Sequence, residues 1–428
     1  MLTHKIYNDR ITIKELMFGK RRGIMERKIL HVDVNNAFLS WTAVSMLKKG
    51  YEVDIRTIPS IIGGDEERRA GIVLAKSPIA KKFGIVTGEP IYFAKKKCNK
   101  IQVFPCDFEV FNHYSNKLYQ LLLEYTDKIE RFSIDECFLD LTHYLSGRKL
   151  EDVAYEINTR VEKELGFTVN VGISSNKLLA KMASDFEKPN KVHTLYEYEI
   201  EDKMWPLPVS ELFMIGKKTV PKLYNLRIKT IGDLAKSNKE FIIKRFGKFG
   251  LTMWNYANGI DDSEVNNKEE VPKSIGNSVT LPNDLSNIEE INKIIVALTE
   301  QVAFRLRHYN LIANTINIQL RTKEFIDHSH QKQLKFATAS TKEILETAKQ
   351  VLNEMYKGEP IRLVGVRVDN LENKDDVQIS FFSNENEQKQ EKIDIILDSL
   401  KEKYGYNSIT RAGKLDITEV VKEKKMKL

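Results

Sequence analysis

No stretch of about 18 apolar residues occurs in this 428-residue chain, so nothing in it reads as a membrane-spanning helix. The N-terminus carries no apolar core of signal-peptide type, and the expected compartment is the cytoplasm. Cysteine is scarce, with only Cys98, Cys106 and Cys137. Their scattered positions lack metal-ligand spacing and exclude both a zinc site and a disulfide framework. Beyond the acidic residues discussed below, no further cluster suggests a nuclease centre. What is present is a modest excess of positive charge: 67 Lys and Arg against 60 Asp and Glu, a net +7. That balance points mildly to a polyanionic partner. The length is too great for one ordinary core and predicts two to four domains.

Residues 1–24 precede a cleaner start at Met25 and read as an N-terminal extension. From Ile29 to Val34 an apolar run predicts a buried strand with Asp33 near its end. Phe108, Phe111, Tyr114, Leu118, Leu121 and Tyr125 recur at helical spacing, as one buried stripe would. Residues 129–141 read as two short strands meeting at Ser133-Ile134-Asp135-Glu136. Another strand, Thr168 to Ile173, leads into a helix from Asn176 to about Phe186, which Pro189 and Asn190 stop. Strands backed by helices, with carboxylates at strand ends, predict an α+β catalytic core.

Further on, Ile215-Gly216-Lys217-Lys218 separates two short apolar segments in the pattern of a helix-hairpin-helix. Glycine permits the tight turn, and backbone N–H groups at the next helix can meet a phosphate. An ordinary helix–helix turn is the alternative. Residues 274–371 follow the order β-α-β-β-α-β, the ferredoxin-like arrangement. One predicted strand alternates Ile316, Ile318 and Leu320 against Asn317, Gln319 and Arg321. The next alternates Leu334 and Phe336 against Gln333 and Lys335. The polar face, with Asn317, Gln319, Arg321 and Lys335, suits a phosphate backbone. A merely solvated face is the alternative. Behind it a polar tail carries one apolar island, Gln378-Ile379-Ser380-Phe381-Phe382, and then an amphipathic helix from Lys392 to Tyr404. Paired phenylalanines in such a tail usually await a partner.

Asp33, Asp135 and Glu136 are the candidate chemistry. Adjacent side chains on a strand point to opposite faces, so Asp135 and Glu136 converge only at a turn. Three clustered carboxylates repel, and oxygen ligands of this kind favour Mg²⁺. Two such ions activate an attacking oxygen and stabilise a leaving one. By spacing alone, a solvated acidic turn plus an unrelated strand Asp is the favoured reading.

The surrounding residues reverse that preference. His31-Val32-Asp33-Val34-Asn35-Asn36-Ala37-Phe38, Ser133-Ile134-Asp135-Glu136, Asn176-Lys177-Leu178-Leu179-Ala180-Lys181 and Lys188-Pro189-Asn190 together resemble the Y-family translesion DNA polymerases, in the branch of bacterial DNA polymerase IV. Ile62-Gly63-Gly64 and Ala80-Lys81-Lys82-Phe83-Gly84-Ile85 add to the likeness, which covers about residues 25–400. It implies a right-hand polymerase: palm at 25–36 and 103–195, fingers at 37–102, helical thumb at 196–262 and linker at 263–273. A little finger at 274–371 and a C-terminal tail at 372–428 complete it.

The resemblance also implies roles. Asp33, Asp135 and Glu136, with the Val34 carbonyl, would hold two Mg²⁺. Phe38 would be the steric gate, closing the sugar site to a 2′-hydroxyl. Lys188, Lys81 and Ser77 would lie at the triphosphate, although Pro78 and Lys81 stand where the family has Tyr and Arg. Gly216, Lys217 and Lys218 would meet DNA, as would the little-finger residues. Gln378, Ile379, Ser380, Phe381 and Phe382 resemble the peptide that binds the bacterial sliding clamp. The expected function is therefore template-directed, low-fidelity lesion bypass by a monomer without proofreading. The expected partners are primer-template DNA, deoxynucleoside triphosphates and the clamp. The alternative is a catalytically weak DNA- and clamp-binding module on a polymerase scaffold; a nucleotide cyclase would leave the thumb, little finger and peptide unexplained.

Overall fold

A computed structural model describes residues 26–65, 71–268, 271–376, 385–405 and 408–409. The extension at 1–24 and the peptide at 378–382 lie outside these residues. Two compact units divide the chain. One comprises Met1–Gly63, Val73–Glu89 and Phe93–Lys268; the other comprises Gly64–Ile72, Pro90–Tyr92 and Glu269–Leu428.

The first unit starts with β1 (Ile29–Val34) and α1 (Ala37–Lys48). The fingers contain β2 (Ser60–Gly63), β3 (Val73–Lys76), α2 (Pro78–Lys82), α3 (Ile91–Lys97) and β4 (Gln102–Pro105). The palm continues with α4 (Phe108–Leu123), the hairpin of β5 (Ile129–Arg131) and β6 (Glu136–Asp140), and α5 (Leu150–Arg160). It ends with β7 (Val169–Ser174), α6 (Lys177–Ser184) and β8 (Val192–Thr194). The palm sheet runs β5-β6-β1-β7-β8. All six residues of β1 are buried because the strand is central, with α6 against one side of the sheet and a hydrophobic core on the other. Each large apolar side chain so buried contributes about 1.5–3 kcal/mol.

α6 is brought onto this sheet by a glycine. A Cβ at Gly172 on β7 would stand 1.9 Å from the Ala180 carbonyl oxygen, so only glycine lets the helix approach. Asn176 caps α6, its side chain accepting from Leu179 N–H at 2.8 Å. The predicted stripe on α4 holds at Phe111, Tyr114, Leu118 and Leu121, but Phe108 is 55% exposed. Phe108 occupies the first turn and meets Phe111 edge-on, with ring centroids 5.5 Å apart, while Phe111 and Tyr114 pack inward on Phe38, Trp41 and Phe167.

The thumb is a set of short helices, α7 (Val220–Asn225), α8 (Ile231–Ala235), α9 (Lys239–Phe246) and α10 (Lys248–Ala257), around a core it shares with Leu178, Leu179, Met182 and Ala183 of α6. Between the π-helical turn Ile200–Met204 and Gly216 stands one 3-10 turn, Val209–Glu211, so the helical segment predicted next to Gly216 is a tighter turn. The predicted linker is also less free than its polarity suggests. Arg27 donates to the carbonyls of Ser263 and Asp261, Asn266 N–H donates to Glu130, and Val265 packs against Ile29, Phe138 and Ala180. Backbone hydrogen bonds and one apolar plug thus hold this polar segment on the palm.

The second unit contains β9 (Ser274–Leu285), α11 (Ile288–His308), β10 (Leu311–Thr322), β11 (Asp327–Thr338), α12 (Thr341–Met355) and β12 (Ile361–Asn373). The β-α-β-β-α-β order stands, but the sheet is not ferredoxin-like: it runs β11-β10-β12-β9, so the second and fourth strands are central where that arrangement has the first and third, because β12 pairs with both β10 and β9. α13 (Glu385–Tyr404) starts seven residues before the predicted Lys392. The predicted inward Phe336 is 69% exposed, because a register shift between Ala313 and Thr315 breaks the alternation where β11 pairs with β10. Among the described residues, no helix is long and apolar enough to cross a membrane.

Candidate active site

β1 and β6 pair antiparallel with Asp33 directly opposite Glu136. Asp135 precedes β6 in the hairpin bend, and its carbonyl accepts from Val34 N–H at 3.0 Å. The turn that the paired carboxylates required is therefore present. Ser133 Oγ donates to Asp135 Oδ1 at 2.6 Å and orients it.

Two lysines complete the cluster. Lys188 Nζ lies 2.5 Å from Asp33 Oδ2 and 2.8 Å from Asp185. Lys181, almost buried on α6, reaches Glu136 at 2.9 Å, Asp185 at 3.3 Å and Asp33 at 3.7 Å. Among the described residues, no three His, Cys, Asp or Glu side chains stand grouped as metal ligands. The carboxylates are instead interleaved with ammonium groups.

Burial raises the Asp33 carboxyl above its ordinary range, and the two lysines only partly offset this. For Glu136 burial acts in the same direction, but Lys181 at 2.9 Å acts against it, and the carboxyl lies below its ordinary range. Burial opposes the charge on Lys188, yet Asp33 and Asp185 raise its pKa. His31 is fully buried and lowered by desolvation. Ser184 Oγ donates to the Lys181 carbonyl at 2.7 Å and accepts from His31 Nδ1 at 2.8 Å, so Nδ1 carries the proton. His31 Nε2 then faces Glu136 at 3.7 Å, too far for a hydrogen bond.

Asparagines hold the lysine loop. Asn170 donates to the carbonyls of Ser184 at 3.0 Å and Glu187 at 2.7 Å. Asn35 Oδ1 accepts from Asn190 N–H at 2.8 Å and from Thr168 Oγ1 at 3.0 Å. Asn35 is thus a brace between β1 and the Lys188 segment. Sequence reasoning missed Lys181, Asn170 and Gly172. Lys181 lay within a quoted motif, but burial is what gives it a role.

Phe38, in the first turn of α1, lies half-buried on Phe111 (ring centroids 4.6 Å) and edge-on to Trp41 (6.1 Å). Trp41 is fully buried and packs on Phe167, so the ring has a stiff backing. In the fingers, Lys81 is exposed as a phosphate contact needs to be. Ser77 is not available: it is fully buried, donates to the Ile58 carbonyl at 2.7 Å and caps α2 by accepting from Ala80 N–H at 3.0 Å. Neighbouring Lys76 has its pKa lowered by burial and by the charge of Lys81.

On the little finger, Asn317 is buried and Arg321 is paired with Asp327 at 2.8 Å, while Lys335 is exposed. Arg321 therefore presents a neutralised pair rather than a bare cation. Opposite Asn317 stands the exposed Arg367, which sequence reasoning passed over and which is likewise paired, with Asp369 at 2.9 Å. Gly216, Lys217 and Lys218 sit in the loop before α7, with both lysines exposed.

A strand Asp facing an acidic hairpin, lysines beside both, and a separate four-stranded domain together define a palm-type nucleotidyltransferase. The impB/mucB/samB family model matches residues 32–185, and the model of that family's C-terminal domain matches residues 272–381. DNA polymerase IV of Clostridium acetobutylicum is 50% identical over 395 residues, covering 92% of this chain and all of that protein. That of Acetivibrio thermocellus is 39% identical, covering 90% of this chain and 97% of the relative. Among solved structures, a Dbh–Dpo4 Y-family DNA polymerase chimera superposes with a TM-score of 0.68 at 24% identity. It covers 80% of this chain and 98% of the chimera. DinB from Sulfolobus solfataricus has the same coverages, a TM-score of 0.53 and 25% identity. The chain belongs to the Y family of DNA polymerases, in its DNA polymerase IV branch of DNA-directed translesion enzymes.

Proposed function

We propose that Asp33, Asp135 and Glu136, with the Val34 carbonyl, hold two Mg²⁺ at the point of phosphoryl transfer. The observation that carries this is the pairing of Asp33 with Glu136 across β1 and β6, with Asp135 at the adjoining bend. The donor set fits, being all hard oxygen, with Asp33 and Glu136 directly opposite each other across the two strands. When bound, the ions supply activation of an attacking oxygen and stabilisation of a leaving one. The chain's own residues position and balance charge: Lys181 neutralises the carboxylates from below, and Lys188 exchanges Asp33 for a triphosphate oxygen. Lys81 adds a second point charge, without the two-pronged grip of arginine. Catalysis is then mostly positioning and electrostatics. The absence of an acidic nuclease cluster from the sequence supports synthesis without proofreading.

Primer extension on matched undamaged and lesion-bearing templates, with each deoxynucleotide alone and with Mg²⁺ titrated, tests the reading. Synthesis independent of divalent metal would overturn it. Lys188→Ala should remove a charge-assisted contact of about 1.5–3 kcal/mol, raising the nucleotide KM tenfold to a hundredfold. An unchanged KM would take Lys188 away from the triphosphate.

The peptide Gln378-Ile379-Ser380-Phe381-Phe382 is read as the sliding-clamp contact, with its glutamine hydrogen-bonded and both rings in an apolar pocket. Deleting residues 378–382 should spare distributive synthesis and remove stimulation by the clamp. Stimulation that survives would place the contact elsewhere.

A further inference from the structure

The bend that carries Asp135 and Glu136 is held from within the palm. Phe132 N–H and Ser133 N–H both donate to the Glu136 carbonyl, at 3.0 and 3.2 Å, and close the hairpin. Ser115 Oγ on α4 donates to the Ile134 carbonyl at 2.5 Å. One side chain of this segment reaches out of the palm. Phe132 is 45% exposed, so its ring adds little to the palm core, yet Ser133-Ile134-Asp135-Glu136 follows it directly.

The Phe132 ring meets Phe213 of the thumb edge-on, with centroids 5.9 Å apart, and Phe213 stacks on Tyr256 of α10 at 6.3 Å. It also meets Phe138 of β6 at 5.5 Å, and Phe138 lies on His31 at 4.5 Å, beside Glu136. Phe213 is tied just as closely to the exposed loop of Gly216, Lys217 and Lys218. Met214 and Ile215 alone stand between them in the chain. Leu212 and Ile215 are buried in the thumb core, and Ile215 N–H donates to the Leu212 carbonyl at 3.0 Å. Thr219 N–H closes the loop on the Gly216 carbonyl at 2.8 Å.

The thumb keeps a larger hold on the palm through Leu178, Leu179, Met182 and Ala183 of α6, so it does not need these rings to stay attached. What the ring contact adds is a fixed spacing between the lysine loop and the acidic bend. Edge-to-face rings prefer a defined geometry, and a small misplacement of a reacting group is costly in rate. We propose that Phe132 and Phe213 are a pair of positioning residues through which the lysine loop of the thumb, when it holds DNA, sets the acidic hairpin for catalysis. This rests on Asp135 and Glu136 as metal ligands and on Lys217 and Lys218 as DNA contacts.

Primer extension by the full chain at saturating DNA, measured beside DNA affinity, tests this. Phe132→Ala and Phe213→Ala should each lower kcat about tenfold, with nucleotide KM and DNA affinity close to wild type. The double variant should be no slower than either single, because both changes break one contact. Phe132→Tyr keeps the ring at a half-exposed position and should extend as wild type. Should Phe213→Ala melt early, Phe213→Leu keeps the apolar bulk without the ring and carries the same expectation. Wild-type rates in both single variants would overturn the proposal. So would effects that multiply in the double variant, which mean two separate roles, or a loss confined to Phe132→Ala, which means direct contact of that ring with DNA. Two controls test the readings beneath it. Near wild-type extension by Asp135→Ala would sink the metal site, and unchanged DNA affinity in Lys217→Ala/Lys218→Ala would sink the lysine loop; either takes the proposal with it. If both controls behave as expected and the rings do not, the positioning role alone fails.

Discussion

Asp33→Asn is expected to lower primer extension at least about a thousandfold, as removal of a central transition-state group does, while the protein melts no earlier than wild type. The first half follows from position. Asp33 faces Glu136 across the sheet, and the neutral amide keeps its shape but loses its charge. The second half follows from linkage. A carboxyl whose folded pKa lies above its unfolded value holds its proton more tightly when folded. Its ionisation therefore costs stability once the pH rises through that folded value. At neutral pH the amide variant escapes that cost, and below the unfolded carboxylate range the two proteins should converge. Melting curves across pH, read beside extension rates, separate the effects. Near wild-type extension by the amide variant would remove Asp33 from the site.

Phe38→Ala should let ribonucleotides in, lowering discrimination between sugars by roughly a hundredfold. The ring rests on Phe111 and Trp41, so it cannot swing aside for a 2′-hydroxyl. Because Phe38 is only half-buried, truncation opens a pocket rather than a sealed cavity, and extension with deoxynucleotides should continue. The ratio of kcat/KM for the two sugars is the measurement. If that ratio is unmoved, the ring is a packing residue and not a gate.

Much of the palm was legible because its signals are local. The apolar run of β1, the hairpin around Ser133–Glu136 and the Asn176 cap each declare themselves within a few residues. Other features depended on distant partners. Ser77 looked like a nucleotide contact until its hydroxyl proved to be occupied by Ile58 and Ala80. Phe336 alternated correctly along β11, but a register shift turned it outward. α13 was recognisable as amphipathic, yet nothing local says that Arg307 and Thr341 would claim its polar face.

The chemistry divides along the same line. Motif order and residue type were enough to nominate Asp33, Asp135 and Glu136, because backbone pattern and the strand-end positions of acids are written along the chain. Their charge balance came only with the folded palm. Lys188 is 155 residues from Asp33 and Lys181 is 45 from Glu136. Both arrive because Gly172 lets α6 close on β7 and Asn170 and Asn35 hold the loop that follows. Burial and through-space neighbours set a carboxylate's pKa, and neither is a property of adjacent residues.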